Sequence, residues 1–207
     1  DIRWMATDEE ILWRSLRTSR SPSLLYSPYL LQRKEGRMAI IFRDRELSDL
    51  IGFVYSQWDA KIAVADFVTR LTAIHQQFQS EAQPPLVSII LDGENAWEFY
   101  PRDGHEFLME LYRALASDAR FRCVTVSEFL AQHPPNETAS VPNLFAGSWI
   151  DGNFATWVGH PEKNAAWEHL IDARAALEAA PEQGNRADAQ RSLGIAEGSD
   201  WMWWFGD

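Results

Sequence analysis

The sequence is short of cysteine, of positive charge and of long apolar runs, and each shortage removes a class of function. Cys123 is the only cysteine among 207 residues, so no disulfide can form within the chain. Lys and Arg number 19 against 30 Asp and Glu, a net charge of −11. Nucleic acids and anionic membranes recruit clustered cations, so neither is an expected partner. No apolar run approaches the ~18 residues of a membrane span, and the start shows no signal-peptide pattern. A cytoplasmic protein is the expectation, although a chain that opens with Asp1 rather than Met can have lost a leader. The 5 histidines, His75, His105, His133, His160 and His169, are scattered without the paired spacing of metal ligands. No metal and no cofactor is therefore expected.

What the chain has in excess is tryptophan, 10 residues of it. An indole offers a flat apolar face with one polar handle, which suits stacking on a sugar ring and equally suits core packing. A hydrophobic content of 46% with 24% charged residues is that of a globular protein, and a neutral polysaccharide is compatible with its acidic surface. Both ends read as cut. Ile2–Met5 is a strand with almost no lead-in, and the aromatic run Trp201–Phe205 stops without a polar tail. A fragment of a longer polypeptide is expected.

The organising stretch is Leu86–Gly104. Leu86 to Leu91 is apolar apart from Ser88, which reads as a buried parallel strand. Asp92 and Glu94 follow at once, then Trp97, Phe99 and Tyr100. Ligands of α/β sheets sit at the carboxyl ends of strands, and a carboxylate beside aromatic rings suits acid–base work on a sugar. The plain alternative is that Asp92-Gly93 forms a turn. Asp8 after the strand at 2–6, and Arg43 and Asp44 after the strand at 38–42, repeat the same placement. For Asp8 the competing role is a helix cap. For Arg43 and Asp44 it is an ion pair tying the loop together, and for Asp49 that structural role is favoured.

A further strand is expected at 122–126, with Ser127-Glu128 capping a short helix. Helices are expected over 8–16, 47–58, 60–79, 104–116, 164–180 and 187–196, and a loop over 19–36. Alternation of strand and helix over residues 1–133 implies parallel strands with crossovers. From Leu144 to Glu162 the chain is a glycine-punctuated aromatic loop, and long ordered loops are usually functional. His160 can donate to a sugar hydroxyl or cap the helix after it.

Leu91-Asp92-Gly93-Glu94-Asn95-Ala96-Trp97-Glu98 resembles the fourth motif of glycoside hydrolase family 57. That family contains retaining amylases, amylopullulanases, 4-α-glucanotransferases and branching enzymes. Ile2–Glu10, Phe42–Gly52 and Leu144–Trp167 resemble its α-amylase/α-mannosidase-like branch. The resemblance implies a (β/α)7 barrel, with residues 1–140 as its C-terminal portion. Residues 141–207 would form a substrate loop and a helical region packing on that barrel. It assigns the general acid/base to Asp92 and places the nucleophilic glutamate before Asp1, so this chain alone is expected to be inactive. Glu94, Trp97, Arg43, Asp44, Trp149, Asn153, Trp157 and His160 are the substrate-binding candidates. An α-glucan and the remainder of the catalytic domain are the expected partners.

Two other classes compete. A non-catalytic carbohydrate-binding module fits the tryptophan content and the missing nucleophile. A metal-dependent polysaccharide deacetylase would need ligands at strand ends, for which His105 with Asp92 and Asp103 is the one combination to consider.

Overall fold

Short apolar runs flanked by capping side chains set the local structure. The computed structural model describes residues 2–34, 36–93, 95–135, 139–181 and 184–206. In it, β1 (Trp4–Asp8) runs directly into α1 (Glu9–Leu16). Asp8 makes the join: its carboxylate accepts from Glu10 N at 2.9 Å, which satisfies an otherwise unpaired first-turn donor. Glu9 and Glu10 follow in the first turn, where the helix dipole favours negative charge.

The segment read as a loop, residues 19–36, contains more structure than its composition suggests. It holds the short α2 (Pro22–Leu25) and β2 (Tyr29–Arg33). β3 (Gly36–Arg43) then lies between β1 and β2. It pairs parallel with β1 from Trp4–Ala39 to Asp8–Arg43, and antiparallel with β2 from Tyr29–Ile40 to Arg33–Gly36. Tyr29 and Leu31 alternate into the core, as one face of a strand does.

Asp44 caps α3 (Arg45–Asp49) by accepting from Leu47 N at 2.9 Å. The helix expected to run on to Trp58 instead changes pitch, through a π-turn at Leu50–Val54 and a 3-10 turn at Tyr55–Gln57. Such π-turns recur near functional sites. Asp59 caps α4 (Ala60–Gln77). The chain continues through α5 (Asn95–Glu98), α6 (His105–Ser117), α7 (Val126–Gln132), α8 (Pro161–Ala179) and α9 (Arg186–Ala196).

The architecture is mixed α/β, with a three-stranded sheet rather than the expected parallel set of four. Among the described residues, neither 86–91 nor 122–125 joins a strand ladder. Val87, Ile89 and Leu91 alternate onto the cluster that contains Ile51, Tyr55 and Phe107, so residues 86–91 keep a strand's side-chain order. Their backbone bonds go to scattered partners instead of a strand: Leu86 N donates to Tyr26 O at 2.8 Å, and Asp44 N, just past β3, donates to Ser88 O at 2.9 Å. At 122–126 a capping box wins over the strand. Thr125 Oγ accepts from Glu128 N and Thr125 N donates to the Glu128 carboxylate, which makes Val126 helical and Thr125, not Ser127, the cap.

The chain divides into compact units at Asp1–Phe145 and Ala146–Asp207. Residues 139–145 belong to the first: Ser140 bridges Leu30, and Val141 is fully buried in the cluster that includes Ile11, Leu12 and Phe42. In the second, α8 and α9 pack together, and Gly206 N bonds the Glu162 carboxylate at 3.0 Å, which ties the tail to the start of α8. No helix among the described residues is long and apolar enough to cross a membrane.

Candidate active site

Asp92 is exposed and stands two residues after Ile90. The approach to it is held by side chains. Arg43 Nε donates to Ile90 O at 2.8 Å, and Ile90 N donates to Ser48 Oγ at 3.1 Å. Glu94 lies outside the described residues. Trp97 is half-buried, with its ring 5.5 Å from Tyr100 and 6.4 Å from Phe107, so packing supports at least part of it. Tyr100 is anchored in turn, its hydroxyl donating to Ile51 O at 2.6 Å. Burial pushes that phenol well above the usual tyrosine range.

The chain then reverses into α6 through Arg102, Asp103 and Gly104, all at positive φ (53°, 53° and 74°). Left-handed backbone at a non-glycine residue costs about 1–2 kcal/mol. At Gly104 a side chain is also excluded by contact: an added Cβ would lie 2.7 Å from Trp97 Cε3.

Behind this surface sits a charged cluster at the carboxyl ends of β1 and β3. Asp8, Glu9, Arg43 and Asp44 are all buried. Asp8 is fully enclosed and faces Arg45 Nη2 at 2.5 Å and Arg43 Nη1 at 3.5 Å. Arg43 Nη2 also meets Asp49 at 2.5 Å. Glu9 pairs with Arg20, and its other oxygen accepts from Arg45 N at 3.5 Å. Burial raises the Glu9 carboxyl above the ordinary glutamate range, and Arg20 opposes the shift. Asp44 accepts from Tyr26 Oη at 2.6 Å. Burial first, then that bond, drives the Tyr26 phenol far above its usual range. Arg43 is thus paired with Asp8 and Asp49, Asp44 is bonded by Tyr26 and Leu47 N, and Asp8 takes a capping role as well as an ionic one.

In the second unit, Trp149 is half-buried and Asn153 exposed. Asn153 organises its own loop: its side-chain oxygen accepts from Ala155 N at 2.7 Å, and its carbonyl accepts from Ser148 Oγ at 2.7 Å. Trp157 is half-buried, 6.2 Å from Trp203 edge to face, and its carbonyl accepts from Trp167 Nε1 at 2.7 Å. His160 caps α8, its Nδ1 accepting from Glu162 N at 3.3 Å. Trp157 also borders an open, mainly apolar groove of about 380 Å³ with Phe154, Val158, Asn164, Trp167 and Ile171.

Sequence reasoning passed over Ser48 as a contributor here. It lay one turn beyond a strand end, and nothing local marks its contact with a residue 42 positions away. Among the described residues no group of three or more His, Cys, Asp or Glu is placed to hold a metal, and His105, Asp92 and Asp103 form none.

Comparison with known proteins bears on this arrangement. The chain is similar to a family 57-type branching enzyme from the hyperthermophilic archaeon Pyrococcus horikoshii, at 18% identity and a TM-score of 0.73, over 98% of this chain and 45% of that one. It is also similar to a 4-alpha-glucanotransferase from Thermococcus litoralis, at 18% identity and a TM-score of 0.56, over 84% of this chain and 25% of the other. The likeness at that identity is one of fold, and the chain spans less than half the length of either structure. No curated protein matches it. The model of glycosyl hydrolase family 57 matches residues 1–142, the whole stretch that carries β1, β3, the charged cluster and Asp92. The chain belongs to glycosyl hydrolase family 57.

Proposed function

We propose that these residues supply the acid/base half of a retaining enzyme acting on α-glucan, as hydrolase or glucanotransferase. In this reading the chain is the C-terminal part of a (β/α)7 barrel. The nucleophilic glutamate comes from residues outside this sequence and stands roughly 5–5.5 Å from the Asp92 carboxyl, the separation retaining glycosidases use. The nucleophile attacks the anomeric carbon while Asp92 protonates the departing glycosidic oxygen. Asp92 then takes a proton from water, or from a sugar hydroxyl, as that oxygen displaces the enzyme from the sugar. Trp97, Trp149, Asn153 and Trp157 are substrate-binding residues, with Glu94 assigned by its place in the motif alone. Arg43 and Asp44, already bonded within the protein, serve to hold the site, and His160 serves α8.

The observation that carries the reading is an exposed Asp92 within the segment matched by the family, at the head of the sequence Asp92–Glu98. The test is Asp92→Asn in the longer polypeptide that contains the nucleophile. Turnover of α-glucan is expected to fall by about 10²–10⁴, the usual contribution of a general acid. Reaction with α-maltosyl fluoride, whose leaving group needs no proton, is expected to continue as far as the glycosyl-enzyme. Undiminished glucan turnover by Asp92→Asn sinks the assignment.

One feature favours a non-catalytic glucan-binding role instead. Trp203 and Trp204 are 46% and 77% exposed, and an indole face open to water is a ready platform for a sugar ring. Glucan binding by the longer polypeptide without any turnover would decide for that role.

A further inference from the structure

Ile90 is an unusual residue in this fold. Both of its backbone polar groups are engaged, yet neither partner is main chain: Arg43 Nε serves the carbonyl and Ser48 Oγ the amide. In a sheet these groups would pair with a neighbouring strand. The substitutes are themselves fixed. Ser48 is fully buried and Arg43 is 3% exposed. Arg43 is held between Asp8 and Asp49, and the helix carrying Ser48 is anchored by the Asp44 cap, which Tyr26 Oη bonds from its other side. One turn of structure thus grips the two peptide groups that flank Ile90, and only Leu91 separates Ile90 from Asp92.

We propose that Arg43 and Ser48 are positioning residues for Asp92: by fixing the backbone of Ile90 they set where the chain delivers the Asp92 carboxyl. The proposal rests on the acid/base reading of Asp92. A general acid has to sit within about 0.5 Å of its working position, and a displacement near 1 Å costs on the order of 10²-fold in rate. Residues 86–91 belong to no ladder, so no neighbouring strand holds the backbone that leads to this carboxylate so closely. Bonds from buried side chains supply that restraint while leaving the carboxyl open to substrate.

The test has a structural and a kinetic arm. In the 207-residue chain, the Ile90 amide is expected to be protected from hydrogen exchange. Ser48→Ala should raise its exchange by roughly tenfold or more, while amides of α4 keep theirs. In the longer polypeptide, Ser48→Ala should lower kcat on α-glucan by about 10–100-fold, with KM within about twofold. Most of that loss should vanish with α-maltosyl fluoride and azide, a donor whose leaving group needs no proton and a nucleophile that has none to lose. Ser48→Thr, which restores the hydroxyl, should recover a large share of kcat.

An Ile90 amide that exchanges freely in the unaltered chain overturns the proposal without any variant. So does an unchanged kcat in Ser48→Ala, or a loss equal on both donors, which would signal general damage. If Asp92→Asn keeps full turnover, the acid/base reading fails and this proposal with it. A normal loss in Asp92→Asn beside unaltered Ser48→Ala kinetics overturns the positioning role alone.

Discussion

Asp8 both caps α1 and meets two arginines, and its replacement separates the two contributions. Oδ1 caps α1 through Glu10 N and also meets Arg45, while Oδ2 faces Arg43 and Arg45 Nε. Asp8→Asn keeps the size and the capping oxygen but removes the charge. Stripping one partner from a buried ion pair costs about 3–5 kcal/mol. Arg43 keeps Asp49 as a counter-charge, and the Arg45 side chain is 35% exposed and can turn to water. The expected loss is therefore at or just below the low end, about 2–3 kcal/mol. Asp8→Ala also deletes the cap, which adds about 1 kcal/mol. With a urea dependence of about 2 kcal/mol per molar, the midpoints should fall by roughly 1–1.5 M for Asn and a further ~0.5 M for Ala. Urea unfolding followed by far-UV circular dichroism reads both. Asp8→Asn within about 0.5 kcal/mol of the unaltered chain, the range of an ordinary surface change, would refute the claim that Arg43 depends on this charge.

Glu9 gives a pH test. Burial raises its carboxyl pKa in the folded state, so the folded chain holds the proton more tightly than the unfolded one. The stability from this group is complete below the unfolded value of about 4.3 and is lost as pH rises through the folded value. Glu9→Gln keeps the shape and cannot ionise, so it should gain on the unaltered chain between pH ~4 and 7. A constant difference in urea midpoint across that range would count against the buried ionisation. Gly104→Ala puts a Cβ at φ +74° against the Trp97 ring, and should lower stability by about 1–3 kcal/mol. In a Trp97→Ala background the steric share should disappear and only the backbone strain remain, and a double-mutant cycle by urea unfolding measures both.

Much of the local structure is readable from neighbouring residues. Asp8 before Glu9-Glu10, Asp59 before α4 and His160 before α8 mark helix starts, because a cap acts on donors two or three residues away. The apolar cores of β1 and β3 are visible for the same short-range reason, and so is the alternation of Val87, Ile89 and Leu91. The family was legible in the motif that follows Leu91, whereas Glu94 within it lies outside the described residues.

What could not be read depends on partners far along the chain. β2 exists because β3 pairs with it, and residues 86–91 bond to Tyr26, Asp44, Arg43 and Ser48 in place of a ladder. Arg43 and Asp44 have the composition of a sugar site, and only the close approach of Asp8, Asp49 and Tyr26 turns them inward. Ser48 carries no local sign of its bond to Ile90. Periodicity and capping are properties of a few adjacent residues and survive in any linear reading. Strand pairing and the burial of charge are settled by which distant segments meet, and those meetings exist only once the chain has folded.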